Sequence, residues 1–404
     1  MNVLFITLED VHNINFRSIS SDLMRYFARE GHSVYVVSPA EKRNNGKTEL
    51  ISQDNCEFLK VKTGNIQQNK NLLDKGLSII SLEYLFIRAI KKYFDNVKFD
   101  LVVYLTPPVT IAGVVSYIKK RDNAIAYLML KDIFPQNAVD YGMMSKTGIK
   151  SVVYKFFRSK EKKLYKVSDY IGCTSPKNIE YTKMHNSFIN DSKLEICVNC
   201  MEPYGEKPDS EYISKIRQKY DLPIDKKIFI YGGNMGKPQG IPFLMKCLEK
   251  TKNINDAFFL LVGSGTEKQK LKEFLDEKNI TNAKLMDYVP KEEFDAITAA
   301  CDVGMIFLDY VTTTPNTPTR LLSYTNASIP ILAVTDPCTD VGDIIESGRF
   351  GWKCYSNDCE KYYELITQIL EVQNWDELKE NSHEYLLNNY TPKHAYDSIM
   401  RHFS

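Results

Sequence analysis

An α/β protein with two doubly wound halves is predicted by three features of this 404-residue sequence. Short, wholly apolar runs recur along it, each suited to a strand buried on both faces. Glycines or prolines close many of these runs, and stretches with apolar residues at helical spacing lie between them. A polar segment at 201–222, punctuated by Pro203, Pro208 and then Pro223, interrupts the alternation once.

The elements follow in order. Val3-Leu4-Phe5-Ile6 reads as the first strand. Ile19, Leu23 and Phe27 recur every fourth residue and predict a helix ending at Gly31, a residue suited to the position after a helix terminus. Val34-Tyr35-Val36-Val37 is the next strand. A strand, a helix and a strand so close together close right-handed into a parallel sheet. Further strands are predicted at 101–104, 124–130, 170–173 and 194–197. Beyond the linker the series restarts with strands at 228–231, 258–262, 303–308 and 329–334, and it finishes in helices at Trp375–Asn388 and Pro392–Phe403. The length exceeds one ordinary core and fits two. The expectation is therefore two Rossmann-like domains facing a central cleft. The first takes residues 1–205, with a terminal helix near 390–404 packing back on it, and the second takes 206–389.

Composition narrows the function. Lys and Arg number 52 against 51 Asp and Glu, so no general nucleic-acid-coating surface is implied and anions must be met by local clusters. No apolar run reaches the ~18 residues of a membrane span. The first residues carry no basic and apolar leader, which predicts a cytoplasmic protein. Nine cysteines scattered among apolar segments read as reduced thiols. Cys197 and Cys200 have a CxxC spacing, but no histidine pair completes a ligand set, so neither a metal nor a bound cofactor is expected.

Three segments of the second half can carry chemistry. Gly232-Gly233-Asn234-Met235-Gly236-Lys237 follows a strand and precedes a helix, an arrangement in which backbone N–H groups can approach a phosphate and Lys237 can neutralise it. An ordinary glycine-rich turn would look the same. Gly263-Ser264-Gly265 repeats the arrangement one unit later. Thr312 to Arg320 brings hydroxyls, amides and a guanidinium to another helix start; the plainer alternative is an N-capping loop with a surface arginine. Ligands of open parallel sheets sit at such strand ends.

With Asp287-Tyr288-Val289-Pro290, Cys301-Asp302-Val303-Gly304 and the run from Thr317 to Ala333, these segments stand in an order that resembles the family-four retaining glycosyltransferases of GT-B architecture, particularly those of capsule and O-antigen assembly. The first half agrees: Leu130-Lys131-Asp132-Ile133-Phe134-Pro135-Gln136 is similar to the family's Arg-Asp-Leu-Trp-Pro-Glu segment, and Asn199 stands where the family has an asparagine after a strand. The resemblance implies a nucleotide sugar, UDP-linked, as co-substrate in the second half and a lipid-linked or polysaccharide acceptor in the first. Gly232, Gly233, Asn234 and Lys237 would lie by the diphosphate or sugar. Gly263, Ser264, Gly265 and the Tyr288–Val289 backbone would lie by the base and ribose, with Thr319 and Arg320 on the diphosphate. No metal is required. The transferred group would be hexosyl or N-acetylhexosaminyl. The family's two glutamates fall here at Pro315 and Ser323, and its Lys-Gly pair has Gln239 in the lysine position. A catalytically silent GT-B subunit, or a nucleotide-sugar 2-epimerase, are the alternatives.

In the first half Asp132 follows a strand directly. It either faces the ligand or caps the next helix. Lys131 beside it, and His12 and Asn13 in the loop after the first strand, are further acceptor-side candidates. Lys146, Lys150, Lys155, Arg158, Lys160, Lys162, Lys163 and Lys166 interleave with aromatic and aliphatic residues over 146–166. That helix either packs with a solvated face or lies on an anionic membrane, placing the protein peripherally on the inner face. The stretch Ile79 to Phe94 poses the same choice.

Overall fold

The computed structural model describes residues 1–66, 72–149, 151–204 and 209–403, and for residues 72, 73 and 75 the backbone alone. Lys150, Pro208 and the boundary expected at 205–206 lie outside them. The chain divides into two compact units, Met1–Cys200 with Pro392–Ser404, and Met201–Thr391.

In the first unit the strands are β1 (Asn2–Ile6), β2 (Ser33–Glu41), β3 (Glu49–Gln53), β4 (Cys56–Thr63), β5 (Leu101–Leu105), β6 (Ile125–Leu130), β7 (Tyr170–Cys173) and β8 (Leu194–Ile196). They form one sheet in the order β3-β4-β2-β1-β5-β6-β7-β8 among the described residues. All pairs are parallel except the edge pair β3–β4. Alternate residues of β1 enter different cores. Leu4 and Ile6 join Val102, Tyr104 and Leu128 on one face, and Val3 and Phe5 join Val34, Val36 and Val103 on the other. Burial on both faces is why these strands read as unbroken apolar runs.

The helix Pro392–Met400 belongs to this unit: Ala395 and Ile399 sit in the second core, and the His32 ring Nε2 lies 2.9 Å from the Tyr396 hydroxyl. In the helix Leu72–Tyr93, Leu82, Phe86 and Ile90 are core residues, while Leu77, Ile80 and Tyr84 are exposed.

The second unit holds β9 (Lys227–Asn234), β10 (Ala257–Ser264), β11 (Ala283–Met286), β12 (Val303–Phe307), β13 (Ile331–Thr335) and β14 (Gly351–Tyr355). Its sheet runs β11-β10-β9-β12-β13-β14, all parallel. Counted within the unit this is 3-2-1-4-5-6, the Rossmann order, whose direction reverses between β9 and β12.

Four strands carry no clear sequence signal. β3 and β11 have no fully buried residue, and β14 has one. As edge strands they face water and need not be apolar. β4 is internal but carries Lys60, whose ammonium is buried and paired with Asp10.

Candidate functional site

The carboxyl ends of β9, β10 and β12 draw together at that reversal point. The Met235 N–H donates to the Ser264 carbonyl (2.8 Å), and the Glu267 N–H donates to the Met235 carbonyl (2.9 Å). These bonds join the turn after β9 to the turn after β10. On the other side the Asp309 N–H donates to the Pro238 carbonyl (2.9 Å), tying in the loop after β12.

Glycine is needed here mainly for backbone contact. A Cβ on Gly263 would land on the Gly233 carbonyl oxygen, and one on Gly265 would land on the Met235 backbone. A Cβ on Gly232 would enter the Phe294 ring. Gly232 and Gly263 are buried against these protein neighbours, whereas Gly265 packs on Met235 and is exposed. Gly233 differs. It is exposed, has φ +111°, and its nearest side-chain neighbour is Arg320, whose Nη2 lies 3.5 Å from where a Cβ would sit.

Arg320 is the first residue of the short helix Arg320–Asn326. Its guanidinium lies over the Tyr231 ring, 4.6 Å from the centroid. No carboxylate pairs with it among the described residues, and its Nη1 is buried without a hydrogen-bond partner there. Burial opposes the charge, but the Tyr231 and Tyr324 hydroxyls beside it hold the group protonated. A desolvated cation without an acid is costly unless an anion completes it. Arginine suits that anion if it is a phosphate.

Two tyrosines that sequence reasoning passed over build this arrangement. The Tyr231 hydroxyl donates to the Asn234 carbonyl (2.7 Å) and so holds the turn. The fully buried Tyr324 hydroxyl accepts from the Gly232 N–H (3.0 Å) and lies 3.2 Å from the Ile230 and Met305 carbonyls, one of which it donates to. Gly304 makes room for that ring. The signal was present in Ser323-Tyr324, but a tyrosine in an apolar helix reads as core.

The other candidates sit around this centre at different distances. Lys237 is exposed and forms no ion pair among the described residues; it opens a 3₁₀ turn (Lys237–Gln239) ahead of the helix Ile241–Thr251. Asn234 is exposed and donates from Nδ2 to Gln239 Oε1 (3.2 Å). Ser264 and Thr319 are exposed, and Thr319 makes no side-chain cap, so the plain capping alternative for this loop fails there. Tyr288, 71% exposed, and Val289 follow β11, one strand further out.

In the first unit, Lys131 and Asp132 follow β6, and their N–H groups reach Thr106 Oγ1 at 3.2 and 3.4 Å. The helix Gln136–Asp140 is capped at Pro135 without a side-chain bond, so Asp132 is not its cap. Burial pushes the Asp132 carboxyl up to about 6, and Lys131 offsets this in part. Lys131 is pushed down, again by burial, against the opposing pull of Cys200 and Glu9. Lys131 and Asp132 are both half-exposed. Asn199 is buried, Asn13 half-buried, and His12 exposed, with Nδ1 3.2 Å from the Asp10 carbonyl. Cys197 and Cys200 are buried, and burial pushes both thiols up to about 12.

A raised carboxyl pKa has a stability consequence with a definite sign. Between about pH 4 and 6 the folded chain keeps a proton that the unfolded chain has released. Ionised Asp132 therefore costs stability above about pH 6. Asp132→Asn is expected to raise Tm at pH 7, with the gain narrowing as the pH falls to 4. Equal gains at both pH values would refute the assignment.

Residues 213–386 match the family Glycosyl transferases group 1, a segment that contains all three turns and Arg320. Over this segment the second unit is similar to that family. Over 312 residues the protein is 25% identical to a probable glycosyltransferase, WbjE, of Pseudomonas aeruginosa, covering 76% of this chain and 74% of that one. Sucrose-phosphate synthase from Thermosynechococcus elongatus superposes with a TM-score of 0.77 at 14% identity, over 100% of this chain and 98% of that one. Anabaena HepE in complex with UDP and glucose gives 0.69 at 14% identity, over 100% and 99%. These likenesses establish the GT-B fold. In the second unit, the turns after β9 and β10 and the Arg320 helix are parts of one strand-end surface.

Proposed function

We propose that the chain is a retaining, metal-independent glycosyltransferase that moves a hexosyl or N-acetylhexosaminyl group from a UDP-linked donor to a lipid-linked intermediate of a surface polysaccharide. The donor half of this reading rests on one observation: the Arg320 guanidinium, without an acid partner, beside the open backbone of Gly233. Departure of a nucleoside diphosphate builds negative charge on the β-phosphate while the sugar becomes oxocarbenium-like. Fixed positive charge aimed at that oxygen lowers the barrier without reorganising. Arg320 would supply it, with Lys237 and the Gly233 N–H alongside. Ser264, Gly265 and the backbone at Tyr288–Val289 would take the ribose and base. The UDP and glucose in the HepE complex support this choice of donor.

Asp132, Lys131, His12, Asn13 and Asn199 would serve the acceptor. A carboxyl titrating near 6 can exchange a proton with a hydroxyl acceptor near neutrality. A lipid-linked acceptor fits the helix Ser151–Val167. Ile149, Val152, Val153 and Phe156 are exposed beside exposed Lys146, Lys155, Lys162, Lys163 and Lys166. Arg158 is excluded from that face, since it pairs with buried Glu161 at 2.5 Å. No helix among the described residues is long and apolar enough to cross a membrane. Attachment would therefore be peripheral and on the inner face.

Pro315 and Ser323, where the resembled family has glutamates, favour a second reading as a catalytically silent subunit. Turnover of a nucleotide-sugar panel in the presence of EDTA separates the two. Transfer or hydrolysis of one UDP-sugar is expected, with retention seen by NMR. Tight binding without any turnover would favour the silent subunit. In the same preparation, sedimentation with vesicles should rise with anionic lipid and fall with salt. Independence from both would remove the membrane face.

A further inference from the structure

The sheet of the second unit parts at its middle, and a side chain holds it open. β9 and β12 pair at Phe229 with Val303 and at Ile230 with Gly304, and there their pairing ends. Each strand runs on with its outer neighbour, β9 beside β10 as far as Asn234 and β12 beside β13 as far as Phe307. One more step in the same register would set Tyr231 opposite Met305, with the Gly232 N–H donating to the Met305 carbonyl. The Tyr324 hydroxyl takes that place. It accepts from the Gly232 N–H at 3.0 Å and lies 3.2 Å from both the Ile230 and the Met305 carbonyl. A hydroxyl has one proton, so it donates to one of these carbonyls while bridging the two strands. Its ring fills the space where a side chain on Gly304 would stand, since a Cβ there would lie 2.4 Å from the ring carbons.

We propose, resting on the donor role given above to Arg320 and Gly233, that Tyr324 is a positioning residue for the donor site, a wedge that spaces β9 from β12. Tyr324 and Arg320 stand four residues apart, on one face of the helix Arg320–Asn326. They hold successive residues of β9: the Arg320 guanidinium covers the Tyr231 ring, and the Tyr324 hydroxyl holds Gly232. Gly233 comes next, its exposed backbone beside Arg320. The wedge thus fixes the two groups that meet the diphosphate without touching it. A direct ladder bond would draw β9 against β12 and narrow the crevice that opens where the strand order reverses. Without the hydroxyl, the buried Gly232 N–H is either left unmet or closes on Met305, and in both cases Gly233 shifts against Arg320. A misplacement of about 1 Å in such a site costs about 10²-fold.

Tyr324→Phe keeps the ring and removes only the hydroxyl. Thr325→Val is its control: Thr325 is equally buried, but its hydroxyl donates within its own helix, to the Leu321 carbonyl at 3.0 Å. Titration with UDP well below Tm is expected to show a Kd raised about 10–100-fold in Tyr324→Phe and unchanged in Thr325→Val. kcat/KM for the UDP-sugar should fall in step, while KM for the acceptor stays. Hydrogen exchange on the unmodified chain tests the wedge without a variant. UDP at about 100 times its Kd should slow exchange of the Gly232 N–H about 100-fold, because the opening that frees this N–H also takes the site apart. The N–H of Gly172, in β7 of the first unit, is the reference and should not slow. Equal UDP affinity in Tyr324→Phe and the parent, equal weakening in the two variants, or a Gly232 N–H that slows no more than Gly172 would overturn the proposal. A parent chain that binds no UDP would instead remove the donor reading, and the wedge's role with it.

Discussion

Arg320→Ala is expected to lower kcat/KM for the UDP-sugar by about 10²–10³-fold, the size of effect seen when one preorganised charge-stabilising group is removed. The guanidinium has no acid partner among the described residues. Its removal therefore strands no carboxylate, and the folded state should be kept or slightly stabilised. Arg320→Lys should recover only part of the loss, because an ammonium cannot keep both the Tyr231 ring contact and a forked contact to phosphate. Steady-state kinetics with each variant, alongside Tm, separates a binding defect from a folding one. Unchanged kcat/KM in Arg320→Ala would show that the charge is not aimed at the donor.

Gly263→Ala is expected to act in the opposite way, on stability first. The added methyl would meet the Gly233 carbonyl oxygen, at a backbone φ of +151° that L residues rarely adopt. Overpacking and backbone strain each cost about 1–3 kcal/mol. Together they should lower the Tm of the second unit by about 4–24 °C. Relief can come only by separating the ends of β9 and β10, which pair in register as far as Ser264 and Asn234. Donor binding should then weaken in parallel, although position 263 touches no ligand in this account. A fully stable Gly263→Ala protein would mean that the two turns have room to spare.

Much of the fold was legible because parallel strands covered on both faces have little alternative to unbroken apolar residues. Val3 to Ile6, Leu101 to Tyr104 and Phe258 to Val262 announce themselves for that reason. Edge strands do not: Ala283-Lys284-Leu285-Met286 pairs on one side and is half-exposed throughout. The site was legible in part. The glycines mark where chain segments meet, but sequence does not say whether the neighbour is a ligand or the protein; for buried Gly232 and Gly263 it is the protein, while Gly265 is exposed. Arg320 stood out as a charge at a helix start. Its unpaired state depends on what surrounds it in three dimensions. Tyr324 was hidden because its hydroxyl serves the backbone of a strand 92 positions away.

The most direct measurement is a crystal structure of the full chain with UDP bound. A β-phosphate oxygen should lie about 3 Å from the Arg320 guanidinium and within hydrogen-bond reach of the Gly233 N–H. A diphosphate seated elsewhere, with Arg320 Nη1 still unpartnered, would contradict the account.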